Sequence, residues 1–423
     1  MQISPALSSL VAALWVLLPL AVCTDATPVV RAQTNSVRLP MAKRINATGS
    51  AKILEHDQAR VRSLRARAAA RASGHRLPTP GGDSGNVPAT NQVVDYVVDV
   101  NIGTPPTTYS LLVDTGSSNT WVGAGQPYEQ TESTRETHNA VEVFYGSGAF
   151  TGTEFNDLVS LDGGLTIFGQ SIGGATDSFG FDGVDGILGI GPVGLTQGTL
   201  TPDTSDTIPT VTDNLFSQGG INQNLVAISF EPTQTDGNPN GELTFGATDH
   251  SKFVGAINFA PITSTFPSAA FFGIDQSLRY GPSTFLLSNS AGIVDTGTTL
   301  LLIASDAVQK YTAANGAVFD DDVGLYRLTP AQFANLKSLF FTIHGVVFEF
   351  TANAQIWPRA LNGVIGGTAD FVYLIVGDIG SPSGSGLDVI NGMAFIERFY
   401  TVFDTDNSRV GIANTPFTRA TTN

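Results

Sequence analysis

Cysteine is nearly absent: the 423-residue chain holds one, Cys23. It closes the apolar run from Leu10 to Val22, which is long enough for the hydrophobic region of a signal peptide and short for a bilayer span. Met1–Ala6, ahead of that run, carries no Lys or Arg, a departure from the usual basic leader. With residues 1–23 removed as a signal peptide, no thiol and no disulfide remain, so an exported protein must rely on core burial, which a chain of this size can supply. No later stretch reaches 18 apolar residues, and no membrane anchor is expected. His138, His250 and His344, three of only five histidines, show no His-Glu-x-x-His spacing, so neither a metal nor another cofactor is expected. Positive charge is scarce as well: 21 Lys and Arg against 37 Asp and Glu give a formal charge of −16, which disfavours a nucleic-acid partner.

What the chain has in quantity is Gly (46), Pro (22) and Phe (26) within a 42% apolar composition, which favours many short strands joined by turns. Strand-like runs stand at Val93–Val100, Tyr109–Val113, Leu225–Phe230, Leu243–Phe245 and Phe340–Phe350, and the expected class is all-β with few helices. An earlier stretch differs. Lys52–Ala72 reads as an Ala/Arg-rich helix capped near Ser50, and the Pro/Gly-rich residues 77–92 after it cannot continue a helix and suit cleavage near 77–85. Charge divides at the same place, with 11 Lys and Arg against 3 Asp and Glu in residues 24–80, and 10 against 34 in residues 81–423. The expected organisation is a signal peptide (1–23), a basic prosegment (24–82), an N-terminal lobe (83–261) and a C-terminal lobe (262–423). Asn46, in the one N-glycosylation sequon, falls in the prosegment.

A weak internal repeat supports two lobes. Leu111-Leu-Val-Asp-Thr-Gly-Ser-Ser118 recurs as Gly292-Ile-Val-Asp-Thr-Gly-Thr-Thr299, and each copy is followed by an apolar-Gly element, Ile187-Leu-Gly189 and Ile390-Asn-Gly392. Two copies imply two related lobes facing each other. In each, an apolar strand delivers an Asp into a partly desolvated loop where Gly116 or Gly297 lets amide N–H groups reach the carboxylate. Ser117 and Thr298 can add a hydroxyl bond, and Thr115 and Thr296 can tie one loop to the other. Asp114 and Asp295 held about 3 Å apart cannot both ionise and would share one proton. The ionised member can then take a proton from water as it attacks a carbonyl while the protonated one donates to the developing oxyanion. Which of the two holds the proton stays open, because such a pair titrates as a unit.

On Ile102-Gly-Thr-Pro105, Asp114-Thr-Gly-Ser-Ser-Asn-Thr-Trp-Val122, Tyr145-Gly-Ser-Gly148, Asp185-Gly-Ile-Leu-Gly189, Asp295-Thr-Gly-Thr-Thr299 and Phe399-Tyr-Thr-Val-Phe-Asp404, the chain resembles the pepsin-like aspartic peptidases over essentially its whole length. The resemblance implies a bilobal β fold with a cleft between the lobes and a flap hairpin over it. It implies a secreted, monomeric endopeptidase made as a zymogen, with protein and peptide substrates and its own prosegment as inhibitor. Tyr145, Gly146 and Ser147 would form the flap tip, the Tyr145 hydroxyl would pair with the indole N–H of Trp121, and Leu112, Ile187 and Thr299 would line the substrate site, with Phe179 and Phe181 as further candidates for its wall. Some fungal relatives accept lysine through an acid two positions after the flap tyrosine, where this chain has Ser147. Asn391 departs from the pattern by replacing the usual apolar residue behind Asp295.

Other readings have weaker support. Gly169-Gln-Ser-Ile-Gly173 matches a serine-hydrolase elbow but lies in a strand-like stretch, and Gly189-Ile-Gly-Pro-Val-Gly194 matches a dinucleotide fingerprint without opening a helix. A catalytically silent peptide-binding relative would be marked by loss of one Asp-Thr-Gly, and a two-carboxylate glycosidase would not frame its acids with matching turns.

Overall fold

The computed structural model describes residues 36–45, 53–73, 94–161, 164–235 and 239–423. The expected signal peptide with Cys23, the sequon at Asn46, the cap near Ser50 and the expected cleavage region at 77–85 lie outside the described residues.

Short strands rich in Val, Phe and Thr dominate, and several alternate burial as a half-covered sheet requires. Along β5 (Arg135–Phe144) the buried positions are Asn139, Val141 and Val143. Others lose that alternation as they enter the interior. In β3 (Thr107–Asp114) the last four residues, Leu111 to Asp114, are all buried, so the strand carries a carboxylate inside.

Among the described residues the strands gather into sheets of fourteen, seven and three members. The largest contains β1 (Val37–Ile45), β2 (Val94–Ile102), β3, β4 (Thr120–Val122), β5, β6 (Ala149–Leu161), β7 (Leu165–Phe179) and β8 (Gly186–Gly189). Near-C-terminal strands Phe399–Asp404 and Arg409–Asn414 join this sheet beside Leu225–Phe230, and β1 is hydrogen-bonded between β2 and Pro239–Phe245. Lys43 of β1 is anchored by a buried ion pair, Nζ to Glu397 at 2.6 Å, and the Tyr96 hydroxyl donates to the same carboxylate. The division expected at 261/262 falls between strand Val254–Pro261 and strand Gly273–Tyr280.

The repeat is structural. β3 runs parallel to β8, with Asp114 opposite Gly189, and β4 pairs antiparallel with β8. In the second half, Thr284–Val294 runs parallel to Val389–Asn391, with Val294 opposite Asn391, and Leu301–Ile303 pairs antiparallel with it. Each Asp-Thr-Gly turn therefore sits at a strand end backed by its own apolar-Gly element.

Helix α1 (Ile53–Ser73) matches the helix expected over 52–72, and its buried face carries His56, Asp57, Arg60, Ser63 and Arg67 beside Ile53, Val61 and Leu64. The expected strand Phe340–Phe350 is a hairpin instead, Leu339–Ile343 and Val346–Phe350, turning at His344 and Gly345 with φ of 44° and 80°. Two left-handed residues between strands are the signature of a tight hairpin, and the Phe-rich run on both sides hides it in sequence. Phe341 and Phe350 of this hairpin pack with Phe395 and Phe399 in the main core, and a smaller cluster joins Leu112, Trp121, Tyr145, Phe150, Phe181 and Ile187.

Gly392 admits no side chain: a Cβ there would lie 2.2 Å from the Leu300 carbonyl oxygen and 2.5 Å from that of Thr298. Gly392→Ala should destabilise the protein by about 1–3 kcal/mol through overpacking against backbone. By scanning calorimetry this is a melting temperature lower by about 2–4 °C per kcal/mol, and an unchanged melting curve would refute the tight packing.

Candidate active site

The two Asp-Thr-Gly turns meet face to face, and both aspartates are fully buried. Asp114 Oδ1 accepts from the Gly116 N–H at 2.9 Å and its Oδ2 from the Ser117 hydroxyl at 2.5 Å. Asp295 repeats the pattern, with the Gly297 N–H at 3.1 Å and the Thr298 hydroxyl at 2.6 Å. A Cβ on Gly116 would lie 2.7 Å from Asp295 Oδ1, and one on Gly297 would lie 2.7 Å from Asp114 Oδ1. Glycine at these two positions is what lets the carboxylates approach across the lobes.

Thr115 and Thr296 clasp the turns. The Thr115 N–H donates to Thr296 Oγ1 and the Thr296 N–H to Thr115 Oγ1, both at 3.0 Å. Each hydroxyl then donates to a strand carbonyl of the other half, Thr115 to Val294 at 3.2 Å and Thr296 to Val113 at 2.8 Å. Four buried donors are satisfied reciprocally, so neither loop can shift without leaving the other's groups unpaired.

A cation joins the carboxylates. Arg60 of α1 donates through Nε to Asp295 Oδ2 and through Nη2 to Asp295 Oδ1, both at 2.8 Å, and Nη2 also donates to Asp114 Oδ1 at 2.5 Å. Burial opposes the charge on Arg60, but the two carboxylates outweigh it and hold the group above its usual pKa. Burial likewise pushes Asp295 up, yet the Arg60 charge and hydrogen bond, with those of Thr298 and Gly297, hold it below the usual carboxylate value. Arg67, two turns further along α1, lies over the Tyr145 ring with Cζ 5.6 Å from its centroid. Its Nε and Nη2 are buried with no hydrogen-bond partner among the described residues. Burial first, and then repulsion from Arg60, lower its pKa.

Tyr145, Gly146 and Ser147 form the turn between β5 and β6, closed by the Tyr145 N–H to the Gly148 carbonyl at 2.7 Å. This hairpin tip rests on α1: Ser63 donates to the Phe144 carbonyl at 2.9 Å, and a Cβ on Gly146 would meet the Ala59 carbonyl. The Tyr145 hydroxyl and the Trp121 indole N–H are near enough for the indole to favour the phenolate, but the pair falls short of full hydrogen-bond geometry, with the rings 6.4 Å apart. Burial, with the negative charge of Asp114 added, raises the Tyr145 pKa. Leu112 and Ile187 lie opposite each other in register and pack in the cluster under this tip. Phe181 meets both Trp121 and Tyr145 edge-on, whereas Phe179 is 41% exposed and stands outside the cluster. Asn391 is buried behind Asp295, donating to Gln276 Oε1 at 3.3 Å while its own Oδ1 finds no partner, and its carbonyl accepts the Asp295 N–H at 3.1 Å. Ser171, of the apparent elbow, lies in β7 and donates to Glu154 of β6, and no group of three potential metal ligands occurs among the described residues.

Arg60, Arg67 and Asp57 are the site-facing residues that sequence reading did not single out. Their 3- and 7-residue spacing puts them on one helical face, shared with Val61 and Leu64, but the apolar pattern does not say which polar residues of that face meet the acids.

A profile of the eukaryotic aspartyl protease family matches residues 95–415. The chain belongs to that family. It is a pepsin-like aspartic endopeptidase. Polyporopepsin of Irpex lacteus is 65% identical to it over 340 residues, covering 80% of this chain and all of that one. Cathepsin E of Cavia porcellus is 33% identical over 352 residues, covering 78% of this chain and 84% of that one. The crystal structure of an aspartic proteinase from Irpex lacteus superposes with a TM-score of 0.78 at 56% identity, covering 92% of this chain and all of that one. Two pepsin-like lobes with their Asp-Thr-Gly turns in contact are thus the aspartyl protease fold, here with α1 lying across both aspartates.

Proposed function

We propose that this aspartyl protease is a secreted zymogen, 1–23 being its signal peptide and 24–82 its inhibitory prosegment, and that the processed monomer cuts peptide bonds at acid pH with Asp114 and Asp295. The observation that carries the reading is the bridging of both carboxylates by Arg60, a residue of the expected prosegment. With Arg60 in place its Nη2 occupies Oδ1 of both carboxylates, and the facing pair is closed to a substrate water. Once it leaves, repulsion between two buried carboxylates makes them share one proton. The ionised member then activates a water and the protonated member stabilises the oxyanion. The Ser117 and Thr298 hydroxyls fix the outer oxygens, Oδ2, and the Gly116 and Gly297 amides the inner ones, Oδ1, so the inner pair meets the water without reorganising.

Leu112, Ile187, Trp121 and Phe181, beneath Tyr145, favour bulky apolar residues beside the cut bond. A basic residue is disfavoured there, since the Arg67 guanidinium against Tyr145 finds no acceptor for two of its nitrogens and Ser147 supplies no charge.

The pH sense of latency follows from Asp295. Its pKa is depressed while Arg60 is bound, so the ion pair contributes fully above the value of the released enzyme and is lost as pH falls through the depressed value. Arg398, Glu397 and Lys43 bind the prosegment strand elsewhere or the C-terminus and do not touch the dyad.

Three outcomes check the reading. Asp114→Asn or Asp295→Asn should remove nearly all peptide cleavage with the fold intact; activity within about tenfold of the parent, about 1.4 kcal/mol, would show that the pair is not the catalyst. A peptide library should return bulky apolar residues on both sides of the cut and reject lysine before it, with Ser147→Asp moving the profile towards lysine; a parent enzyme that prefers lysine there would contradict the pocket assignment. In the 24–423 precursor, Arg60→Leu should release its N-terminal segment already at about pH 6, where the parent stays intact, as followed by size and activity. Identical release profiles would remove Arg60 from the latency device.

A further inference from the structure

Helix α1 buries two arginines of opposite standing. Its first turns are well matched: Asp57 accepts the Thr299 and Leu300 N–H groups at 3.2 and 2.9 Å, and the Arg60 nitrogens donate to Asp295 and Asp114 at 2.5–2.8 Å. Arg67, about 10.5 Å further along the axis, has burial without acceptors. It is 8% exposed, and neither its Nε nor its Nη2 finds a hydrogen-bond partner. A buried charged donor left unpaired is among the more costly arrangements a side chain can adopt. The groups that face it are few. Arg60, on its own helix, repels it; Asp114 and Asp295, from the two Asp-Thr-Gly turns, attract it; Tyr145, from the tip between β5 and β6, offers its ring at 5.6 Å, near the limit of a cation–π contact. Burial raises the Tyr145 pKa, so the phenol stays neutral at acid pH and contributes no charge. Burial and the repulsion from Arg60 together outweigh the two carboxylates.

We propose that Arg67 drives α1 off the aspartates: near neutral pH the charges of Asp114 and Asp295 offset part of its burial, and once acid removes them it stands as an uncompensated buried cation. The inference rests on the zymogen reading above. Asp295 is held below the usual carboxylate value while Arg60 is bound, so its charge is present above that depressed value and is lost as pH falls through it. Both arginines keep their protons over the whole range, so the repulsion between them remains after the attraction has gone. Protonation of the acids thus acts twice, weakening the ion pairs of Arg60 and stranding Arg67. Stranding one charge of a buried set is strongly destabilising, whereas an apolar side chain of similar volume in its place is often neutral or stabilising. The aliphatic stem of Arg67 can be kept while its charge is removed, which separates the two contributions. Arg60 therefore favours latency and Arg67 opposes it, and removing their charges should move release of the segment in opposite directions.

The test compares the 24–423 precursor with its Arg67→Met and Arg67→Lys variants, each taken stepwise from about pH 6 to about pH 3 and followed by size and activity. Met keeps an unbranched stem without the charge, and Lys keeps the charge. The Met variant should hold its N-terminal segment to a pH lower than the parent's by about half a unit or more, and at the parent's midpoint should release it about fivefold more slowly or slower still. The Lys variant should release at the parent's pH or above it. Arg67 leaves with the segment, so the processed enzyme is the same molecule in every case and its kcat and KM should not differ. Release of the Met variant at the parent's pH or higher would overturn the proposal while leaving latency intact, as would a Lys variant delayed as far as the Met one. Arg67→Leu repeats the comparison with a second apolar side chain, and early release by both apolar variants would likewise overturn it. A parent precursor fully active with its segment still attached would overturn the zymogen reading and this inference together.

Discussion

Two carboxylates buried side by side repel each other, and the surrounding structure exists to hold them there despite that cost. The turns that carry them are clasped by Thr115 and Thr296, whose N–H and hydroxyl groups cross from one half of the chain to the other. Every bond in this clasp has a counterpart related by the repeat. A shift of either loop would strand two buried donors at once, so position is enforced by hydrogen-bond satisfaction more than by apolar packing.

The N-terminal helix answers the repulsion in a second way. Arg60 supplies a delocalised cation in a planar fork that reaches both acids, and its own burial is offset by their charge. Arg67 is compensated only in part: burial and repulsion from Arg60 outweigh the pull of the same two carboxylates, and it lies against an aromatic ring with two nitrogens unpaired. The helix is thus bound by interactions of opposite quality at neighbouring turns, favourable at Asp57 and Arg60 and frustrated at Arg67. A contact so composed depends on the ionisation of the acids it covers, and in the proposed zymogen it would weaken as pH falls.

Other contacts tie the N-terminal segment to the body of the enzyme away from the cleft. β1 is paired on both sides within the large sheet, and Lys43 reaches a buried glutamate near the C-terminal end of helix Met393–Ile396. The N-terminal end of that short helix receives the Thr298 and Thr299 carbonyls, so one small element connects the strand's anchor to the loop beside Asp295.

The sequence by itself determined the class and the repeat, and pointed to the residues proposed to bear the chemistry. Gly and Pro punctuation with short apolar runs gives strands, and two Asp-Thr-Gly copies with their apolar-Gly elements give two related lobes, because these are local patterns whose geometry follows from a few adjacent residues. The tertiary structure alone decided what depends on groups far apart in the chain. The Phe340–Phe350 run reads as one strand until φ at His344 and Gly345 folds it back. Tyr145 and Trp121 look like a self-contained pair until Arg67 of α1 is found over the tyrosine ring. Of the arginines in the basic segment, which one meets the acids is invisible in composition, since all share the same charge. It is settled by the helical phase that turns Asp57, Arg60 and Arg67 towards the cleft, where the few apolar residues of the buried face mark burial but not which arginine meets the acids.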